Sequence, residues 1–240
     1  MQQFSDAHLA ALGVLALATG LSVRAARRHP CRWTVPAARI LALLILAGWA
    51  GEYLADVVLG TWTLQYNLPL QLTDAVSLVS ILALLTRRML LVELAYFWAL
   101  TATLQAMLTP DLSVSFPSVY YFTYFSYHIG AIAAACFLVF GCRLYPRPGA
   151  VWRVYAATLG VTLIAALGDI LTGGNYMYLR EKPVHNSLLN VMGPWPWYIL
   201  ATAALGLALM LAVKLLTDWV RRRDPAYQGV ARGDERVGVC

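Results

Sequence analysis

The sequence predicts an all-α fold: a polytopic integral membrane protein, a bundle of seven transmembrane helices with the N-terminus outside and the C-terminus in the cytoplasm. Two observations carry this. The 240 residues are 60% hydrophobic and only 12% charged, where a soluble domain carries about 25% charged residues, and the mean hydropathy is +0.63. The basic residues are also sorted. All except Arg180 and Lys182 flank alternate connections or follow the last span, the positive-inside pattern. With the N-terminus outside and the C-terminus inside, the number of spans must be odd.

The apolar runs fall in order at Leu9–Val23, Ala37–Leu59, Leu70–Leu85, Leu90–Leu108, Val119–Leu144, Val151–Leu171 and Trp195–Trp219. Each approaches the roughly 20 residues that cross a bilayer as a helix. The first and third are short, and the fifth is long enough to tilt or to extend into the cytoplasm. The first has arginines after its apolar stretch rather than before it, so it reads as an outward-facing anchor and not a secretory signal. Residues 1–220 form one transmembrane domain. The polar segment 221–240 reads as a disordered cytoplasmic tail.

The net charge of +6 is spread over membrane flanks, which argues against nucleic acid as a partner. The four cysteines have neither C-x-x-C nor metal-type spacing, so no metal, cofactor or disulfide framework is expected. No G-x-S-x-G, H-E-x-x-H or phosphate-loop motif is present.

Polar residues inside the spans are unevenly placed. Glu52 and Asp56 lie one turn apart on one face of the second span. Gln71, Thr73 and Asp74 open the third. Gln105 closes the fourth, and Asp169 stands near the outer end of the sixth. His128 lies deepest, about ten residues into the fifth span, where an ionisable side chain usually faces a cavity or a partner. Structural polar residues would be scattered in depth. These gather in the extracytoplasmic half, which predicts a polar cavity there. The segment Thr172–Tyr198, with Asn175, Tyr178, His185, Asn186, Asn190 and Trp195, is too rich in Gly, Pro, Asn and aromatic residues for a plain spanning helix. It reads either as an interfacial aromatic belt or as a lid over the cavity.

A histidine near a hydroxyl suggests acyl chemistry. Thr73 needs a base to act as a nucleophile, and His128 is the available imidazole. Asp74, Asp56 or Asp169 would orient it, and Gln71 or Gln105 would donate to an oxyanion. The alternative is a non-enzymatic lipid or small-molecule binder or transporter using the same cavity, with Glu52, Asp56 and Asp169 as ion or proton sites.

Three stretches add a resemblance: LPLQLTD (Leu68–Asp74, preceded by Tyr66 and Asn67), Phe116–His128 ending in SYH, and GGNYMYLREKP with MGPWPWY. They resemble the YwaF-like bacterial integral membrane proteins, related to the transmembrane protein 164 acyltransferases that act on lysophospholipids and, more remotely, to androgen-induced membrane hydrolases. The resemblance covers Pro69 to Tyr198. It implies a phospholipid acyltransferase or lipid ester hydrolase of the cell inner membrane, with membrane phospholipid or lysophospholipid as partner, Thr73 as nucleophile and His128 as its histidine. Many bacterial members carry His in place of Gln71 and Cys or Ser in place of Thr73, so this chain would use the less reactive hydroxyl. The acyl chain would lie between helices, with the head group near the Asn175–Trp197 loop.

Overall fold

The computed structural model describes residues 2–28, 33–183 and 187–225. Among these, seven helices run in order: α1 (Asp6–Arg28), α2 (Thr34–Leu59), α3 (Leu72–Thr86), α4 (Met89–Leu108), α5 (Val119–Gly141), α6 (Ala150–Thr172) and α7 (Trp197–Arg223). Six are long and apolar enough to cross a membrane, and α3 is the shorter exception. α1 is longer than its apolar run suggested, because Arg24, Arg27 and Arg28 extend it by a turn.

α5 is the centre of the bundle, with 72% of its most apolar stretch buried, against 6% for α7. α4 contributes a nearly continuous buried run, Val92 and Leu94–Ala99. α1, α6 and α7 pack around the outside and turn their leucines outward, as lipid-facing helices do. The closest helix pair is α2 on α5, and glycines make it possible. A Cβ on Gly48 would stand 2.9 Å from both Ser126 Cβ and the Tyr127 nitrogen, and one on Gly130 would stand 2.6 Å from Ile45 Cγ1. Small residues at such crossings let backbones approach within van der Waals contact. Both α4 and α5 contain a single π-helical turn, Ala99–Thr103 and Phe137–Gly141.

One end of the bundle is basic and stitched by ion pairs. Glu93 is fully buried and accepts from Arg147 at 2.9 Å and Arg153 at 3.0 Å. Asp224 accepts from Arg143 at 3.1 Å and from the Tyr145 hydroxyl at 2.8 Å, with Arg27 at 3.6 Å. The last helix continues past residue 221, where the sequence predicts the tail to begin. α7 runs to Arg223, and Asp224 is buried because it ties α7 to α1 and to the segment after α5. Residues 226–240 of that tail lie outside the described residues.

The opposite end is built differently. α3 has only 15 residues, roughly 22 Å at 1.5 Å per residue, against a hydrocarbon core of roughly 30 Å. Its first turn is recessed. Asp74 bonds to Trp49 and Tyr53 of α2, and α2 continues past them to Leu59, a further roughly 9–15 Å. The chain from Gly60 to Gln71 must therefore descend into the bundle before α3 can start.

Candidate active site within the membrane

The descending segment is held by one tyrosine. Tyr176, fully buried, donates its hydroxyl to the Leu64 carbonyl at 2.6 Å and accepts from the Leu68 nitrogen at 3.0 Å. Its own nitrogen donates to Asp169 Oδ1 at 2.6 Å. Gly168 and Gly174 leave room for this. A Cβ on Gly168 would strike Leu70, and one on Gly174 would stand 2.5 Å from the Gln65 carbonyl. The next amide, Met177, donates to Gln71 Oε1 at 2.8 Å. Met177 and Tyr178 both hold left-handed φ, 54° and 56°, a conformation that non-glycine residues keep only where their surroundings enforce it. The Tyr178 hydroxyl donates to Asp111 at 2.6 Å, and its carbonyl accepts from the Tyr198 hydroxyl at 2.6 Å. Burial, then the bond to Asp111, pushes the Tyr178 hydroxyl well above the usual tyrosine range. Asn175 shapes the turn by accepting from the Arg180 and Glu181 nitrogens, and the Trp195 indole donates to the Leu179 carbonyl at 3.1 Å.

This bracing answers the belt-or-lid alternative in part. The segment after α6 is a strap across the descending chain, joined to it at Leu64, Leu68 and Gln71. Asn186 and His185 lie outside the described residues.

Beside the descending segment lies a cavity of about 80 Å³. α2 supplies Trp49, Glu52, Tyr53 and Asp56. The descending segment supplies Tyr66, Asn67 and Leu68. Gln71, Thr73 and Asp74 come from the start of α3, and Tyr127 from α5. None of these residues is basic. The lining is mostly polar and suits an ester or a small polar head.

Two of its acids are saturated. Asp74 Oδ1 accepts from the Trp49 indole and the Tyr53 hydroxyl, each at 2.8 Å, and Oδ2 accepts from the Gln71 nitrogen at 2.9 Å. Asp56 accepts from Asn67 Nδ2 at 2.6 Å, the Tyr120 hydroxyl at 2.8 Å and the Thr61 hydroxyl at 3.0 Å. Glu52 is different. The Tyr127 hydroxyl meets it, and Oε2 is buried with no partner.

Thr73 makes no hydrogen bond to any described residue. Its place in the helix explains this. Most threonines deeper in helices return their hydroxyls to the carbonyl four residues back, as Thr101, Thr158, Thr162, Thr172, Thr202 and Thr217 do here, whereas Thr19 and Thr103 are buried without a partner. Thr73 stands in the first turn of α3, where no helical carbonyl precedes it.

His128 is 2% exposed. Its ring stacks on Tyr124, centroids 4.0 Å apart, and lies 4.4 Å from the Tyr127 ring. Nδ1 sits 2.7 Å from the Tyr124 carbonyl. A carbonyl only accepts, so Nδ1 carries the proton and the Nε2 lone pair is the basic site of the neutral ring. His128 is not on the cavity wall, and no hydrogen bond joins it to Thr73. The expected orienting carboxylates do not bond to it: Asp74 and Asp56 are engaged as above, and Asp169 accepts from Tyr176 on Oδ1 while its Oδ2 is buried without a partner. A backbone carbonyl takes that role instead. Gln105 turns its amide nitrogen to Thr109 at 2.9 Å, within its own helix end.

The structure thus gathers Glu52, Asp56, Gln71, Thr73 and Asp74 around one space and leaves His128, Gln105, Asp169, Asn175, Tyr178 and Trp195 off its wall. Trp49, Tyr53 and Tyr127 were missed from sequence. Their signal is present: W-x-x-E-Y-x-x-D from Trp49 to Asp56 repeats at the one-face spacing of a helix. Among the described residues no group of three or more His, Cys, Asp and Glu side chains is placed to hold a metal ion.

Helices of this length around a recessed polar pocket define a polytopic all-α membrane protein with a polar cavity at one end of its bundle. The chain belongs to the TMEM164 family, whose family model matches residues 3–214. That membership is compatible with a function on membrane lipids. No curated protein and no solved structure matches the chain.

Proposed function

We propose that this protein is a lipid acyltransferase or lipid esterase of the cell inner membrane, working in the extracytoplasmic half of the bilayer. The observation that carries the proposal is Thr73: an unbonded hydroxyl on the wall of a polar cavity inside a membrane bundle. Thr73 Oγ1 attacks an acyl ester carbonyl and forms an acyl-threonine ester. His128 Nε2 takes the hydroxyl proton, its tautomer set by the Tyr124 carbonyl. No hydrogen bond joins Thr73 to His128 in the structure, so that contact must form when substrate is bound. The head-group side of the ester occupies the cavity, and the acyl chain extends between helices toward lipid.

The donor is a membrane phospholipid or a related ester. The acceptor is a lysophospholipid hydroxyl or water. A polar cavity also suits a non-enzymatic binder. The two readings separate on turnover. Purified protein in phospholipid vesicles is expected to release or transfer acyl groups, and both Thr73→Ala and His128→Gln are expected to lower this by at least ~10²-fold while still folding. Equal turnover in wild type and both variants refutes the mechanism. Saturable lipid binding with no turnover in any form supports the binder.

A further inference from the structure

We propose that Glu52 is a second proton-transfer residue of this site, acting on the oxygen that leaves the donor and on the hydroxyl that accepts the acyl group. This rests on the acyl-transfer reading of Thr73. Acyl transfer moves two protons at two places: one from the threonine hydroxyl, and one to the oxygen of the departing lysolipid. In that reading His128 serves the Thr73 hydroxyl and holds its proton until the second half-reaction, so the departing oxygen needs another donor. Glu52 is that donor. It shares the cavity with Thr73, the Tyr127 hydroxyl meets its carboxyl, and its Oε2 is buried without a partner. The other two acids on the wall each accept three hydrogen bonds. A buried polar atom without a partner is unusual in a folded protein and calls for an explanation. A substrate hydroxyl supplies one.

The steps balance. In acylation the bond from Thr73 Oγ1 to the acyl carbon forms and the donor C–O bond breaks. The threonine proton goes to His128, and the carboxylic acid of Glu52 gives its proton to the departing oxygen. In the second half-reaction the Glu52 carboxylate takes a proton from the incoming hydroxyl as that oxygen bonds the acyl carbon. The C–Oγ1 bond breaks, and His128 returns its proton to Thr73. Both groups end as they began.

The test compares two esters on the purified full chain. From a phospholipid the departing group is a lysolipid alkoxide that needs a proton. From a p-nitrophenyl fatty ester it is a nitrophenolate that does not. Glu52→Gln is expected to lower phospholipid turnover by ~10²-fold or more while still giving a stoichiometric burst of nitrophenol, with the acyl group retained on Thr73. Glu52→Asp, which keeps a proton carrier, is expected to recover part of the phospholipid rate and guards against a misfolded Gln variant. Equal loss on both esters assigns Glu52 a structural role and overturns the proposal, as does wild-type phospholipid turnover in the Gln variant. A burst that survives Thr73→Ala in the otherwise wild-type chain overturns the underlying reading instead.

Discussion

His128 Nδ1 lies 2.7 Å from the carbonyl oxygen of Tyr124, one turn earlier on the same helix. The bond fixes which nitrogen carries the proton without a carboxylate partner. His128→Gln keeps a hydrogen-bonding side chain but no base, so it is expected to lower kcat by ~10²–10⁴-fold with a smaller change in KM. Steady-state kinetics on vesicles checks this. A change confined to KM assigns the residue to binding.

Asp74 collects three donors, two from α2 and one from the Gln71 nitrogen that precedes its own helix, and sets the depth at which α3 begins. Asp74→Asn places an amide where one of these donors points, leaving it without an acceptor, and is expected to destabilise the fold by about 1–3 kcal/mol. Thermal unfolding in detergent measures the loss. An unchanged midpoint means that α3 is held by other contacts.

Glu93 tests the independence of the two ends. It is fully buried between two guanidiniums that are themselves 48% and 39% exposed, so solvent screens part of the interaction. Glu93→Ala is expected to cost about 2–4 kcal/mol, below the full value for a wholly buried network. Activity per folded molecule should stay at the wild-type level, because the cavity is at the other end. A large drop in specific activity shows that the ends are coupled.

Tyr145 gives a pH dependence. Burial, then the hydrogen bond it donates to Asp224, pushes its hydroxyl up to about 12, from about 10 in an unfolded chain. The folded state holds the proton more tightly, so the contribution to stability is complete below about pH 10 and is lost as pH rises toward 12. Tyr145→Phe has no proton to lose and should show a shallower alkaline fall in stability than wild type. Parallel curves place the alkaline sensitivity elsewhere.

The helices were legible because each is a nearly unbroken apolar run, and α1 and α7 differ from expectation most where arginines prolong them. Thr73, Glu52 and Asp56 were legible as polar residues at one depth. The recess of α3 was not. The sequence places Leu70 and Gln71 in the third span, and what draws the segment before it inward is Tyr176, 108 and 112 residues from the atoms it bonds. Asp74 was nominated as an orienter for His128, but its partners Trp49 and Tyr53 look like ordinary apolar members of a span until they are seen to carry donors. Glu93 was overlooked for a related reason: its guanidinium partners are 54 and 60 residues away.

A close approach of α2 to α5 brings Glu52 to Tyr127, and Gly48 sets it. Gly48→Ala puts a methyl 2.9 Å from backbone and side chain of α5, so the helices must separate. Phospholipid turnover is expected to fall by at least ~10-fold, since small displacements at a reacting centre are costly. Wild-type turnover in this variant shows that the α2–α5 spacing does not govern the site.

The central claim is that the acyl group is carried by Thr73, and its most direct test is to find it there. Protein reacted with phospholipid, quenched in acid and mapped by peptide mass spectrometry is expected to carry one acyl ester on the peptide containing Thr73. In Thr73→Cys the acyl group should instead be a thioester, released by neutral hydroxylamine. A reaction that proceeds with no acyl group on Thr73, or with the group on another residue, contradicts the account.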